Sequence, residues 1–397
     1  MPDAILTINA GSSSIKFALF EANATLERMA SGEVEGIGGA PHFFVRDADG
    51  TMLHEKRWAH GEELTHEELL SPLLDWVEQH LGDAKLIAAG HRIVHGGEKF
   101  VEPIRVDANV LLELSKLNTL APLHEIHNLS AVKAVMALRK NLPQIGCFDT
   151  AFHHEMPVIA TRLAIPRHFH DEGVRRYGFH GLSYEYISGR MREIAPPLAS
   201  AKVIAAHLGN GASVCAMQNG KSIDSSMGFT ALDGLVMGTR CGTIDPGVLL
   251  YFMQARGMSA EAISDLLYKK SGLLGVSGIS ADVRDLLASE DPAAAEAVAL
   301  FVFHAARQIS ALIASLGGLD GLIFTAGIGE HAAPVRTAIC ARLSWLGISL
   351  DEAANIKNAG IISTPSSKIE VHIIPTDEEA MIAKHCLEVI QKNSSFL

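Results

Sequence analysis

Positions 5–8 are mostly apolar, small and polar residues fill 9–14, and the chain turns mostly apolar again over 15–20, with Lys16 the exception. Two short apolar runs on either side of turn residues predict a strand, a tight turn and a second strand. The same rhythm returns at 203–206, 207–213 and 214–217. So short a recurrence fits an internal duplication or a coincidence, and the pattern leaves both open. A third apolar run, 322–325, leads into Gly327-Ile328-Gly329-Glu330. It follows a long helical pattern that starts after Asp291-Pro292, where Asp caps the helix and Pro suits its first position. The last helix is predicted to start near Thr376 with Glu379 as its capping-box partner. Ala380, Ile382, Ala383, Cys386 and Ile390 would share its buried face. Strands alternating with helices predict an α/β protein.

Composition narrows this picture. A chain of 397 residues, 48% of them hydrophobic, can build a large core and by length predicts two or three domains. A net charge of -12 opposes binding to nucleic acid or to an anionic membrane surface, so neither is an expected partner. The five cysteines (Cys147, Cys215, Cys241, Cys340 and Cys386) are scattered and form no Cys-x-x-Cys pair, which predicts a reducing, cytoplasmic location. No basic stretch precedes the first apolar run, so a signal peptide is not expected. The most apolar long segment, 293–316, is interrupted by His304, Arg307 and Gln308, which predicts a buried or amphipathic helix rather than a membrane span.

Several turns carry candidate chemistry. Asn9-Ala10-Gly11-Ser12-Ser13-Ser14-Ile15-Lys16 offers backbone N–H groups, hydroxyls and a cation, a combination that suits phosphate; an ordinary hairpin turn is the plainer reading. His207-Leu208-Gly209-Asn210-Gly211 lets backbone approach a ligand closely, although a β-bulge explains it nearly as well. Gly327 to Gly329 suits either a nucleotide at a helix end or a tight strand-to-helix turn. Each is weak alone, and three such loops at strand ends in one α/β chain are stronger. The chain has no Walker loop and no complete dinucleotide fingerprint. Arg92 and Arg240 are each set among glycines, which leaves an anion room to reach a planar guanidinium. His180 suits donation to a transferring phosphoryl group and Asp149 suits a magnesium-bound water, against a satisfied core histidine and a turn aspartate. His153-His154 and His168-x-His170 lack the partners of a zinc site and read as structural or surface histidines.

Taken together, these residues resemble the acetate kinase family, end to end, within the superfamily of sugar kinases, actin and heat-shock chaperones. The resemblance implies a duplicated actin-like (ribonuclease H-like) fold with a nucleotide cleft between two domains. It places 1–150 plus 380–397 on the acid and phosphate side and 151–379 on the nucleotide side. It further implies ATP or ADP as co-substrate, magnesium (with manganese as an alternative), a small carboxylic acid substrate and a homodimer. Asn9 and Glu378 are similar to the family's metal-site residues, and Gly11, Ser12 and Ser14 to its phosphate loop. Lys16, His207, Leu208, Gly209, Asn210, Gly211, Asp282, Val283, Arg284, Gly327, Ile328, Gly329, Glu330 and His331 are similar to its nucleotide contacts. Arg92 corresponds to the substrate arginine, Asp149 to the catalytic acid, His180 and Arg240 to the transition-state stabilisers, and His124 to a further active-site histidine. Val94, Leu123, Phe179 and Ala231 correspond to the lining of the acyl pocket.

The chain also departs from the family pattern. Glu125-Ile126 replaces the usual Asn-Pro after His124, Leu182 and Tyr184 replace Thr and His, and Cys241 and Thr243 replace Ser and Asp. Ala231 stands where a proline is common, which predicts a roomier acyl pocket. The expected reaction is reversible in-line transfer from ATP to acetate. Propionate or a broader range of short acids is the alternative substrate, and a non-catalytic nucleotide switch is the rival of another class.

Overall fold

The computed structural model describes residues 3–11, 13–58, 61, 64–81, 84–120 and 125–394. The packing groups the chain into two units, Met1–Ala151 with Asp377–Leu397, and Phe152–Thr376.

In the first unit the opening apolar runs form an antiparallel hairpin of β1 (Ala4–Ala10) and β2 (Ser14–Glu21), with Asn9 opposite Lys16. The chain then adds β3 (Arg28–Glu35), β4 (His42–Asp47), β5 (Met52–Arg57), β6 (Leu86–Ile93), β7 (Ile104–Arg105) and β8 (Gln144–Phe148). The sheet order is β5-β4-β3-β2-β1-β6-β8-β7, with β1, β6 and β8 mutually parallel. Because side chains alternate across a strand, Leu6 and Ile8 join Leu69, Leu73 and Val77 of the His66–His80 helix on one face. Gly90 points to the other face. A side chain there would strike Cys386 Sγ, so the glycine lets the Glu378–Ser394 helix lie directly on β6.

The second unit repeats this plan. Its strands are β9 (Lys202–Leu208), β10 (Ala212–Gln218), β11 (Lys221–Ser225), β12 (Gly321–Thr325) and β13 (Glu370–Ile373), in the order β11-β10-β9-β12-β13. Its core matches β3-β2-β1-β6-β8 strand for strand: an antiparallel three-strand meander, then two strands parallel to the first. The short recurrence in the sequence is therefore a duplicated fold. Tyr184, Ile187 and Met191 of the Gly181–Ile194 helix pack on Val203, Ala205 and Cys215. The Pro292–Leu316 helix, capped by Asp291, is long and apolar enough to cross a membrane, yet here it packs on β9, β10 and β11 with Phe301, Ala305 and Ile309 buried.

The start of the last helix differs from the expectation. Asp377, not Thr376, accepts from the Ala380 N–H (2.8 Å), and the Thr376 N–H goes to Glu330 Oε1 (3.2 Å). A carboxylate makes a stronger, charge-assisted cap than a hydroxyl, which accounts for the one-residue shift. Met381 and His385 are buried on this helix besides Ile382, Ala383 and Cys386, whereas Ala380 and Ile390 are only half-buried.

Candidate functional site

The ends of β1, β6 and β8 bring together residues that are far apart in sequence. Arg92 on β6 donates from Nε to both oxygens of Asp149 at 3.1 Å and from Nη2 to Oδ2 at 2.5 Å. Its Nη1 donates to Asn9 Oδ1 at 3.2 Å, and Glu378 Oε2 stands 3.8 Å from Nε. Burial works against the Arg92 charge, but Asp149 and Glu378 more than offset it and hold its pKa above the ordinary value. Burial also raises the Glu378 carboxyl to about 7, against the pull of Arg92. Parallel pairing of β6 with β8 sets Arg92 beside Cys147, two residues before Asp149, and the Asp149 N–H donates to the Ile93 carbonyl at 3.0 Å.

Among the described residues no group of three or more His, Cys, Asp or Glu side chains is arranged to hold a metal by itself. Asn9, Asp149 and Glu378 nevertheless offer hard oxygen donors on adjacent elements. That set fits magnesium, which takes one or two carboxylates and fills its other positions with water and substrate phosphate.

Around this cluster the segment after β6 is fixed by side chains. The Val94 N–H donates to Asn128 Oδ1 (3.0 Å), the His95 N–H to Glu125 Oε2 (3.1 Å) and the Gly96 N–H to Thr150 Oγ1 (3.0 Å). Glu125, the departure from the family pattern, is fully buried, and burial pushes its carboxyl up to about 8, with the Asp149 charge adding to the shift. The phosphate-loop candidates Gly11 and Ser14 close the β1–β2 turn, the Gly11 N–H donating to the Ser14 carbonyl at 2.8 Å, and Lys16 is exposed on β2. Ser12, Leu123 and His124 lie outside the described residues.

In the second unit, His180 caps the Gly181–Ile194 helix in the left-handed region at φ 56°, a strained conformation for a non-glycine residue that costs about 1–3 kcal/mol. The strain is held by neighbours. Buried His153 bonds the Phe179 carbonyl (2.9 Å) and Ser222 Oγ (2.8 Å), as a structural histidine does, and it packs against Gly178, where any side chain would strike its ring. The His180 ring stacks on His207 at 4.2 Å, and His207 Nδ1 lies 2.8 Å from Ser183 Oγ. Arg240 Nη1 donates to the Ala231 carbonyl at 3.0 Å. Glycines bring the Arg240 loop close: the Gly238 N–H donates to the Asn210 carbonyl (3.0 Å), and a side chain at Gly238 would overlap Asn210 Oδ1. Thr243 donates to Asp233 Oδ1 at 2.8 Å, and this bond braces the loop in which the family usually has an aspartate.

Most of the remaining candidates lie in the second unit. His207 and Leu208 end β9, and Gly209, Asn210 and Gly211 form the turn into β10. Asp282 caps the Val283–Ala288 helix through the Arg284 N–H (2.8 Å) and holds the exposed Arg284 side chain. Gly327, Ile328, Gly329, Glu330 and His331 lie in the Ala326–His331 helix that follows β12, after a left-handed Ala326 at φ 63°. Phe179 and Ala231 are buried in this unit, and Val94 is buried in the first.

Sequence reasoning passed over Asn128 and Arg336, and it named Ser213 only as the last residue of the glycine-bearing 207–213 turn, with no role of its own. Arg336 is fully buried and donates to the carbonyls of Gly329 (2.9 Å) and Asn355 (2.7 Å) and to Asn355 Oδ1 and Asn358 Oδ1 (2.7 Å each). Its place six residues past Glu330 was the one available signal, and it was indistinguishable from a surface charge on a helix.

The profile of the Acetokinase family matches residues 4–384. The chain is 51% identical over 391 residues to an acetate kinase of Rhodopseudomonas palustris, covering 97% of this chain and 98% of that one. Among solved structures it is similar to a propionate kinase from Francisella tularensis (TM-score 0.89, 36% identity, 96% of this chain and 98% of that one). It is also similar to an acetate kinase of Porphyromonas gingivalis (TM-score 0.84, 37% identity, 98% of this chain and 100% of that one).

Proposed function

This chain belongs to the acetokinase family, and from that membership we infer that it is an ATP-dependent kinase forming acetyl phosphate and ADP from acetate, reversibly, by direct in-line phosphoryl transfer. The observation that carries the reading is the Arg92 guanidinium set between Asp149, Asn9 and Glu378, a cationic fork among oxygen donors. A carboxylate is ionised at neutral pH, with a reference pKa of roughly 4, so its attack needs no general base. Catalysis then rests on positioning and charge neutralisation. Arg92 orients the acid, while Arg240 and His180 donate to the equatorial oxygens of the transferring group. Asn9, Asp149 and Glu378 would hold magnesium directly or through water, and the ion when bound neutralises charge on the phosphate oxygens. Lys16 and the loops at 207–211, 282–284 and 327–331 bind ATP.

A homodimer is supported by the Pro246–Gln254 helix, none of whose nine residues is buried although Leu250, Tyr251 and Met253 are large and apolar. The acidic net charge of -12 supports the absence of nucleic acid and anionic membrane as partners, and the scattered cysteines with no Cys-x-x-Cys pair support a cytoplasmic location.

Hydroxylamine trapping of acyl phosphate with Mg-ATP and acetate, propionate or butyrate in parallel tests the reaction. The highest signal is expected with acetate. A higher signal with propionate would move the assignment to a propionate kinase, and silence with every acid would overturn the kinase reading in favour of a nucleotide switch.

A further inference from the structure

Tyr184 stands in the first turn of the Gly181–Ile194 helix, where the family usually has a histidine, and its ring is fully buried. Its hydroxyl lies 2.6 Å from Ser213 Oγ, and Ser213, also fully buried, lies 2.9 Å from His180 Nδ1. Three side chains on two elements thus form a continuous hydrogen-bonded chain ending on the imidazole. Its direction follows from counting protons. Burial keeps the phenol protonated, well above its ordinary pKa, and its oxygen receives the His207 main-chain N–H. The phenol proton therefore needs an acceptor, and Ser213 Oγ is the one within reach. Ser213 has one proton to give, and His180 Nδ1 takes it. In the opposite direction, with Nδ1–H donating to Ser213 and Ser213 donating to Tyr184, the buried phenol proton would have no acceptor among the described residues, which is costly for a buried donor.

We propose that Tyr184 is a positioning residue which, through Ser213, keeps the neutral His180 proton on Nε2, so that the imidazole presents an N–H donor over the 209–211 turn. Nε2 faces Gly211, where an added side chain would come within 3.2 Å of it, and stacking on His207 fixes the plane of the ring. No bond is made or broken in the relay; it fixes which nitrogen donates, as the orienting group of a catalytic triad does. The inference rests on the reading of His180 as a donor to the transferring phosphoryl group, and it adds how a neutral histidine is kept in the donating form.

The test is 15N NMR of the full-length enzyme labelled at histidine, with the His180 signals identified by their loss in His180→Asn. Nδ1 is expected at a pyridine-like shift and Nε2 at a pyrrole-like one. Tyr184→Phe and Ser213→Ala should each move the pair toward a tautomer mixture and lower kcat about ten- to a hundredfold, with KM for ATP within about twofold of wild type. Tyr184→His, which restores a donor, should recover most of kcat. If His180→Asn loses activity while Tyr184→Phe keeps both the Nε2–H tautomer and wild-type kcat, the relay is idle and the inference falls although His180 acts. If His180→Asn retains wild-type kcat, the underlying reading of His180 fails and takes the inference with it. Should Tyr184→Phe not fold, the wild-type spectrum and Ser213→Ala decide the matter, and a wild-type Nδ1–H tautomer overturns the proposal outright.

Discussion

The Arg92 guanidinium holds the Asp149 carboxylate side-on, with Nε 3.1 Å from both oxygens and Nη2 2.5 Å from Oδ2. Asp149 is buried, so this pairing carries an energetic weight that an exposed pair lacks. It also couples the two residues proposed to orient the acid and to serve the metal, so a change at either one would disturb both.

Arg92→Lys keeps the charge but cannot span Nε and Nη2 at once. It is expected to lower kcat/KM for acetate about a hundredfold, corresponding to roughly 2–3 kcal/mol, with KM for ATP little changed. Steady-state kinetics with each substrate varied in turn checks this. An Arg92→Lys enzyme with wild-type kcat/KM for acetate would show that the fork is not what orients the acid.

Asp149→Asn removes a negative charge from beside Arg92 and Glu378 while keeping the shape. It should depress kcat by at least about a hundredfold and shift the magnesium concentration needed for half-maximal rate. An unaltered metal response, measured by titrating magnesium at saturating ATP, would remove Asp149 from the metal's surroundings.

Glu125 ties stability to pH. Its folded-state carboxyl titrates at about 8, above the roughly 4.3 of the unfolded chain. The proton it keeps therefore stabilises the fold fully below about pH 4, and that contribution is lost as pH rises through about 8. Glu125→Gln keeps an acceptor for the His95 N–H and has no proton to lose. Relative to wild type it should gain stability between pH 5 and pH 9, on the order of 3–5 kcal/mol, read as a flatter profile of Tm against pH. Parallel profiles for the two proteins would contradict the buried-acid account.

Arg336 bears a buried charge bonded to amide and main-chain oxygens, one of them on Gly329 in a candidate nucleotide loop. Arg336→Met leaves those buried oxygens without a donor, and a loss of about 2–4 kcal/mol is expected. In protein that still folds, KM for ATP should rise several-fold while KM for acetate holds. A thermal melt and the two KM values separate the structural effect from the binding one.

At position 231 the main-chain carbonyl accepts from Arg240 whatever the side chain. Ala231→Pro therefore keeps that bond while filling space. If Ala231 lines the acyl pocket, the ratio of kcat/KM for propionate to that for acetate should fall about tenfold, since one methylene in an apolar pocket is worth about 1–3 kcal/mol. An unchanged ratio would place Ala231 away from the acyl chain.

What the sequence determined by itself is what lies close along the chain. Turn chemistry and apolar runs located β1–β2 and β9–β10, Asp291-Pro292 located the start of the Pro292–Leu316 helix, and the glycine-bearing loops marked the site candidates, because a turn, a cap or an amphipathic face depends on neighbours a few residues away. Pairings across long separations follow only from the folded chain. The partnership of Arg92 with Asp149, the line from Tyr184 through Ser213 to His180, and the cage around Arg336 each depend on strand register and helix placement, and no local pattern encodes them. The β4–β5 extension of the first sheet and the one-residue shift of the last helix cap to Asp377 were settled there too. The duplication shows the division most plainly: a few recurring residues hinted at it, and the common strand order of the two sheets, which requires knowing which strands lie side by side, established it.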